Sequence, residues 1–186
     1  SKPLGCYGDG GAIFTNDANL AKSIREIRNH GQDRRYHHSL IGVNGRLDTI
    51  QAAILLSKFK IFTQEILERN KIGSRYNKLF DNKRFLIKTP KTLPGNIHIF
   101  AQYSILVENR DSLSKELLKM NIPTTVHYPV PIHKQPVFKT NEFHLPLSEY
   151  ISDRVLSLPM HPYLNTTDQQ KIVDQCLNII SRKNGL

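Results

Sequence analysis

The chain has 186 residues, 39% of them hydrophobic and 23% charged, an ordinary globular composition that excludes a wholly disordered polypeptide. No run approaches 18 apolar residues, which excludes a membrane-spanning helix, and two cysteines, Cys6 and Cys176, exclude a disulfide framework and fit a reducing compartment. A net charge of +10 suits a polyanionic partner without choosing among nucleic acid, an anionic membrane and a phosphorylated small molecule.

The first residues are Ser1-Lys2-Pro3, with no initiating methionine and no signal or transit peptide, so the chain is expected to be a piece of something longer. Gly5 to Gly11 read as a tight irregular segment, and the apolar run Ala12 to Thr15 as a short buried strand. Asn16 or Asp17 is placed to cap a helix over Ala18 to Asn29, where Leu20, Ile24 and Ile27 recur at helical spacing, and Gly31 to close it. Gln32 to Arg46, polar and rich in Arg and His, reads as a loop. From Leu47 to Phe80 apolar residues step by three or four, which predicts a helix of about 50 Å that Gly73 could bend or break. A helix that long exceeds what one small lobe can wrap, so it is expected to link two lobes or to lie at an interface.

The remainder reads as α+β. Phe85–Thr89, Ile97–Val107 and Thr124–Tyr128 are predicted strands. A helix opens at Asp111 or Ser112 and runs to about Asn121, and a second short one covers Ser148 to Leu156. Pro129 to Pro136 is a proline-rich loop containing His133. Thr166-x-x-Gln169 matches a capping box before a last helix whose apolar face includes Cys176. The division that follows is 1–46, a long helix over 47–80, and 81–186, with the break between lobes near Asp81 to Lys83.

Among the motifs that could carry chemistry, the eight histidines form no H-E-x-x-H and there is no Cys-x-x-Cys, so no metal site is expected. No Gly-x-Ser-x-Gly elbow is present, and Gly8-Asp9-Gly10-Gly11 lacks the Lys-[Ser/Thr] of a phosphate-binding P-loop. Arg34-Arg35-Tyr36-His37-His38 is either a solvated loop or an anion-recognition loop, since guanidinium forks bind phosphate and carboxylate in bidentate fashion. Asn44-Gly45-Arg46, just before the long helix, is either an Asn turn with a solvated Arg or an anion site at a helix N-terminus. The rest of the positive charge is scattered through the helices, which argues against a nucleic-acid stripe.

Several of these segments together resemble a known family. Ser1-Lys2-Pro3-Leu4-Gly5-Cys6-Tyr7-Gly8-Asp9-Gly10-Gly11-Ala12, His30 through His38, Asn44-Gly45-Arg46-Leu47-Asp48-Thr49-Ile50-Gln51-Ala52-Ala53, Val126-His127-Tyr128-Pro129-Val130-Pro131 and Leu158-Pro159-Met160-His161-Pro162-Tyr163 are similar to motifs of the DegT/DnrJ/StrS sugar aminotransferases, in the same order. Within that family the resemblance is to the WbpE-like enzymes. These use glutamate to aminate the 3-keto group of a UDP-N-acetyl-hexuluronic acid on the way to O-antigen sugars. The resemblance implies the α/β fold of a fold-type I transferase dependent on pyridoxal 5′-phosphate (PLP). The chain would supply the end of the large domain, a long interface helix and a C-terminal α+β domain. It also implies a cytoplasmic homodimer with shared active sites and no nucleic-acid or membrane partner.

Carried onto this sequence, the resemblance makes Lys2 the catalytic lysine. That role needs a primary amine that condenses with the cofactor, is displaced by the amino donor and then carries a proton. Asn44 matches the residue that reaches the cofactor phosphate of the opposite subunit. Arg46 matches a second contribution in trans, facing the carboxylate of glutamate or of the uronic acid. His127 and Tyr128 match a pair at the substrate mouth, and Arg34, Arg35, Tyr36 and His37 are candidates for nucleotide-sugar contacts. Family members are about twice as long. The phosphate cup, the stacking aromatic and the Asp that pairs with the pyridine nitrogen belong to the half expected to be missing here, so the chain alone is expected to be inactive. The alternative is a PLP-free sugar-binding, structural or regulatory module of the same fold.

Overall fold

The computed structural model describes residues 2–81, 86–138 and 143–184. They fall into two compact units, Ser1–Thr63 and Gln64–Leu186, divided inside the long helix.

In the first unit, α1 spans Ala18–Ile27 and is capped by Asp17, whose carboxylate accepts from the backbone N–H groups of Asn19 and Leu20 at 2.8 and 3.1 Å. It ends two residues short of expectation because the Asn29 N–H turns back to the Glu26 carbonyl, at 3.0 Å. Gly31, at φ 72°, closes the turn by donating to Glu26 as well. The segment expected as a plain loop contains a small antiparallel hairpin, β1 (Gln32–Arg34) and β2 (His37–His38), turning through Tyr36 at φ 64°.

Gly31 and Gly42 then cross in contact. A Cβ on Gly31 would lie 1.7 Å from the Leu40 carbonyl oxygen, and one on Gly42 would lie 2.1 Å from the Gly31 nitrogen. This bare crossing lets the strand of chain after the hairpin run beside the end of α1. There His30 donates to Val43, Val43 to Ile27 and Gly45 to Arg28, at 2.8 to 2.9 Å.

Ala12 to Thr15 is not the expected buried strand. It is irregular and open, with Phe14 92% exposed. Among the described residues no strand lies alongside to pair its backbone groups, and an apolar run without partners does not make a sheet. Gly31 is the one buried residue described in this unit.

Helix α2 covers Thr49–Leu79, within two residues of the predicted span. Gly73 does not break it. The residue is buried, and a Cβ there would meet the Phe100 ring at 2.5 Å, so the glycine admits an aromatic ring against the helix backbone.

The second unit holds the core. A three-stranded antiparallel sheet runs in the order β3 (Ile87–Lys88), β4 (Tyr103–Val107), β5 (Val155–Leu158), with Ile87 opposite Val107 and Tyr103 opposite Leu158. Helices α3 (Arg110–Lys119), α4 (Pro146–Arg154) and α5 (Thr166–Asn184) complete it. Alternation along β4 buries Tyr103, Ile105 and Val107. Tyr76 of α2 stacks on Tyr103 with ring centroids 4.5 Å apart, and Phe80 flanks it at 6.2 Å. The two phenols find partners: Tyr103 donates to Asn77 Oδ1 at 2.6 Å and Tyr76 to the Pro159 carbonyl at 3.0 Å. Burial raises the pKa of both. Ile172, Val173, Cys176, Ile179 and Ile180 are the buried face of α5, as the sequence pattern predicts, and burial pushes the Cys176 thiol up to about 12.

Several boundaries differ from expectation. The predicted strand from Ile97 begins only at Tyr103, because Phe100 adopts φ 42° and breaks the extended path. Phe85–Thr89 reduces to Ile87–Lys88, with Phe85 outside the described residues, as are Asn82 and Lys83 of the expected lobe break. The strand predicted over Thr124–Tyr128 is a single bridge, Thr125 to Ser157. The predicted helix over Ser148–Leu156 stops at Arg154 because Val155–Leu158 is strand β5, fully buried and paired with β4. Asn109, in the left-handed conformation, starts α3 instead of Asp111 or Ser112. The cap of α5 is Asn165, whose Oδ1 accepts from the Asp168 N–H at 2.8 Å, one residue before the predicted box. Gln169 is drawn instead into the core, where its amide donates to the Ile72 carbonyl at 2.8 Å.

Two substitutions test these contacts. Gly73→Ala gains about 1 kcal/mol of helix propensity, but overlap with Phe100 costs about 1–3 kcal/mol, so net destabilisation is expected in urea unfolding. Gly42→Ala is expected to abolish hydrogen-exchange protection at the amides of His30, Val43 and Gly45 while α5 amides stay protected.

Candidate active site

Lys2 is exposed, and its amine makes no hydrogen bond or ion pair among the described residues. The segment that follows it is tied to α2. Gln51 Oε1 accepts from the Tyr7 N–H at 2.7 Å, and Lys58 Nζ donates to the Gly5 carbonyl. Gln51 and Lys58 are seven residues apart on one helix, hence on one face. Sequence reasoning assigned neither a role, although their spacing was the available signal.

Asn44 and Arg46 are set by the chain that crosses α1. Asn44 bridges Asn29 through the backbone, and Arg46 donates through Nη1 to Asn29 Oδ1 at 2.8 Å. One residue, Asn29, thus orients both, and it carries no motif that would have singled it out. Both side chains are exposed, three to five residues ahead of the first residue of α2, whose leading N–H groups favour anions.

The hairpin separates the four candidates Arg34, Arg35, Tyr36 and His37. His37 Nδ1 lies 2.6 Å from Asp33 Oδ1, so it is engaged at the base of the turn. That hydrogen bond holds the Asp33 carboxyl below its ordinary pKa. The contact therefore contributes above the ordinary Asp range and is lost as pH falls through the lowered value. Arg35 lies over the Tyr36 ring at 4.8 Å from its centroid and donates to its hydroxyl at 3.0 Å. The tip of the hairpin is therefore a paired cation and aromatic, with Arg34 on β1 beside it.

In the second unit, His127 and Tyr128 line a cleft of about 880 Å³ whose other walls include Ile132, Phe138, Leu145 and Ile151. The two rings meet edge to face at 5.6 Å. His127 Nδ1 is 3.0 Å from the Ser157 hydroxyl. His133, also in the cleft, has its Nε2 3.1 Å from Glu149, and Lys134 reaches the other carboxylate oxygen at 2.5 Å. Lys134 first, and then His133, hold the Glu149 carboxyl below its ordinary pKa. An apolar cleft with a few convergent polar groups is the usual form of a small-molecule site. Among the described residues no group of His, Cys, Asp and Glu could hold a metal ion.

Known proteins resemble this chain in sequence and in fold. The sequence pattern of the DegT/DnrJ/EryC1/StrS aminotransferase family matches residues 1–177. Over 166 residues, 89% of this chain and 46% of the relative, the chain is 52% identical to the UDP-2-acetamido-2-deoxy-3-oxo-D-glucuronate aminotransferase of Pseudomonas aeruginosa. The fold matches a DegT DnrJ EryC1 StrS aminotransferase from Brucella abortus with a TM-score of 0.89 and 45% identity, over 95% of this chain and 48% of that one. It matches NtdA from Bacillus subtilis, solved with bound cofactor PMP, with a TM-score of 0.80 and 25% identity, over 90% and 41% of the two chains. The chain spans about half the length of the relatives it matches. The expected α/β, fold-type I class agrees with these likenesses. With its motifs in order, its fold superposed and nearly all its length matched, the chain belongs to the DegT/DnrJ/EryC1/StrS aminotransferase family.

Proposed function

We propose that the protein is an aminotransferase that moves an amino group from glutamate to the 3-keto carbon of a UDP-linked N-acetyl-hexuluronic acid, for O-antigen sugars, in the cytoplasm. The observation that carries this reading is the 52% identity to an enzyme named for a UDP-linked 3-oxo-glucuronate.

PLP is the cofactor of this family, and the residues present fit it. Lys2 offers an amine that has no partner among the described residues, on a segment strapped to α2, and Asn44 offers an amide donor in the open. When bound, PLP supplies the electron sink for the carbon that carries the amino group. The chain's own part is to hold and move charge. The Lys2 amine takes and returns the proton at that carbon. The Asn44 amide donates to phosphate, and the Arg46 guanidinium, aimed by Asn29, pairs with a carboxylate. Arg34, Arg35, Tyr36 and His37 are read as basic and aromatic contacts for the nucleotide-sugar, and His127 and Tyr128 as a pair at the substrate mouth. The net charge of +10 suits ligands that are all anions. The reading keeps the division 1–46, 47–80 and 81–186 as parts of the large domain, the interface helix and the small domain. By itself the chain is proposed to be inactive.

The same reading includes a homodimer. Its support is the apolar surface left open on the first unit: Phe14, Ile41 at 98% exposure, and Ile50, Leu56 and Phe59 on α2.

In the intact enzyme, borohydride reduction in the presence of PLP is expected to leave a pyridoxyl mass on the Lys2 peptide, and Lys2→Ala to lose both the label and amination by about 10²–10⁴-fold. A label on another lysine sinks the assignment. Sedimentation velocity is expected to show concentration-dependent self-association, and a monodisperse monomer counts against the dimer.

A further inference from the structure

The second unit contains a hydrogen-bonded chain that none of the roles above requires. Ser104 and Ser157 are cross-strand partners in β4 and β5, and their hydroxyls lie 2.9 Å apart. Ser157 is only 5% exposed, and its Oγ is the group 3.0 Å from His127 Nδ1. Its backbone pairs with Thr125 in both directions, at 2.8 and 3.1 Å, two residues before His127. One residue of β5 therefore fixes both the path of the chain leading to His127 and the setting of its ring.

The polarity of this pair needs a reason. Ser157 alternates with Leu156 and Leu158 along β5 and so faces the other side of the sheet, where it is buried all the same. A buried hydroxyl costs free energy unless it is bonded, and here the bonds lead from Ser104 through Ser157 to an imidazole that lines a cleft. An imidazole with Nδ1 engaged has a fixed ring plane and a preferred tautomer, and the nitrogen on its opposite edge, Nε2, is left for a ligand. Among the described residues Nε2 of His127 has no hydrogen-bond partner.

We infer that Ser157, backed by Ser104, is a positioning residue that holds His127 by Nδ1 so that Nε2 meets the nucleotide-sugar in the cleft. This rests on the reading of His127 as a substrate contact given above. Ser157 touches no substrate; it acts through the ring.

The test uses the intact enzyme, with UDP-glucuronic acid as the probe of binding and ring ¹⁵N shifts of His127 as the probe of tautomer, assigned with His127→Gln. Ser157→Ala is expected to replace one dominant tautomer by a mixture, to weaken probe binding and raise KM about three- to tenfold, and to leave kcat within about twofold. Ser157→Thr, which keeps the hydroxyl, restores both readouts. The double variant Ser157→Ala/His127→Ala binds no more weakly than His127→Ala alone, because the serine has no other route to the ligand. Unchanged ring shifts in Ser157→Ala overturn the positioning role. Changed shifts with wild-type probe binding in His127→Ala overturn the substrate reading of His127, a separate failure. Should Ser157→Ala not fold by its thermal melt, Ser104→Ala removes the outer link and is expected to give the same tautomer change at smaller amplitude, an unchanged ring again overturning the proposal.

Discussion

The second unit depends on the seating of α2 against β4. Tyr76 stacks on Tyr103, Phe80 and Phe100 continue the aromatic layer, and Gly73 leaves the gap into which Phe100 fits. Each such aromatic pair contributes about 0.5–1.5 kcal/mol beyond the area it buries. Two polar locks add direction to that apolar contact. Asn77 accepts from Tyr103, and the Ile72 carbonyl accepts from Gln169 of α5. Ile72, Gly73, Tyr76, Asn77 and Phe80 fall on one helical face, so turning α2 about its axis would break every one of these contacts together. The helix is thereby keyed, and β4, which it keys onto, is the strand that also carries Ser104 toward His127.

The two units are stabilised by different physics. The second has a core of buried aliphatic and aromatic side chains drawn from α2, the sheet, α3 and α5. The first is held by backbone hydrogen bonds around the Gly31 and Gly42 crossing and by the straps from Gln51 and Lys58, nearly all in contact with water. Hydrogen bonds that replace water contribute only about 0.5–1.5 kcal/mol each. That is enough to specify a path for Asn44 and Arg46 but little to oppose the exposure of Phe14 and Ile41. The candidate residues of the first unit thus ride on a precise but thinly supported scaffold, and those of the second on a cored one.

Much of this was legible in the sequence where one periodicity ran long enough to dominate. The span of α2, the buried face of α5 and the capped start of α1 follow from spacing and cap chemistry. What escaped did so for identifiable reasons. Val155–Leu158 reads as continuing the helix before it, since an apolar run four residues long fits either period, and only pairing with β4 and Thr125 decides it as strand. The hairpin at Gln32–His38 has no apolar alternation to announce it. Thr166-x-x-Gln169 satisfies the capping pattern locally, yet the core claims Gln169 and Asn165 takes the cap. Gly73 looks like a weak point in a helix until the ring of Phe100 is seen against it. Of the candidate site, Arg34, Arg35, Asn44 and Arg46 stood out by type and Lys2, His127 and Tyr128 only through the family resemblance, while Asn29, Gln51, Lys58 and Ser157, which bond to these residues or to the segment after Lys2, are ordinary polar residues whose contacts are distant in sequence.

The unbroken length of α2 has a consequence for how order spreads through the chain. Starting a helix is costly and extending one is cheap, because each added residue fixes itself with one hydrogen bond. The keyed end, near Tyr76, is where tertiary contacts offset the cost of a nucleus. The turns around Gln51 and Lys58 have no buried side chains to start from. The C-terminal turns of α2 are therefore better supported as helix than the turns near Thr49. The two side chains that anchor the segment after Lys2 sit on that less supported end.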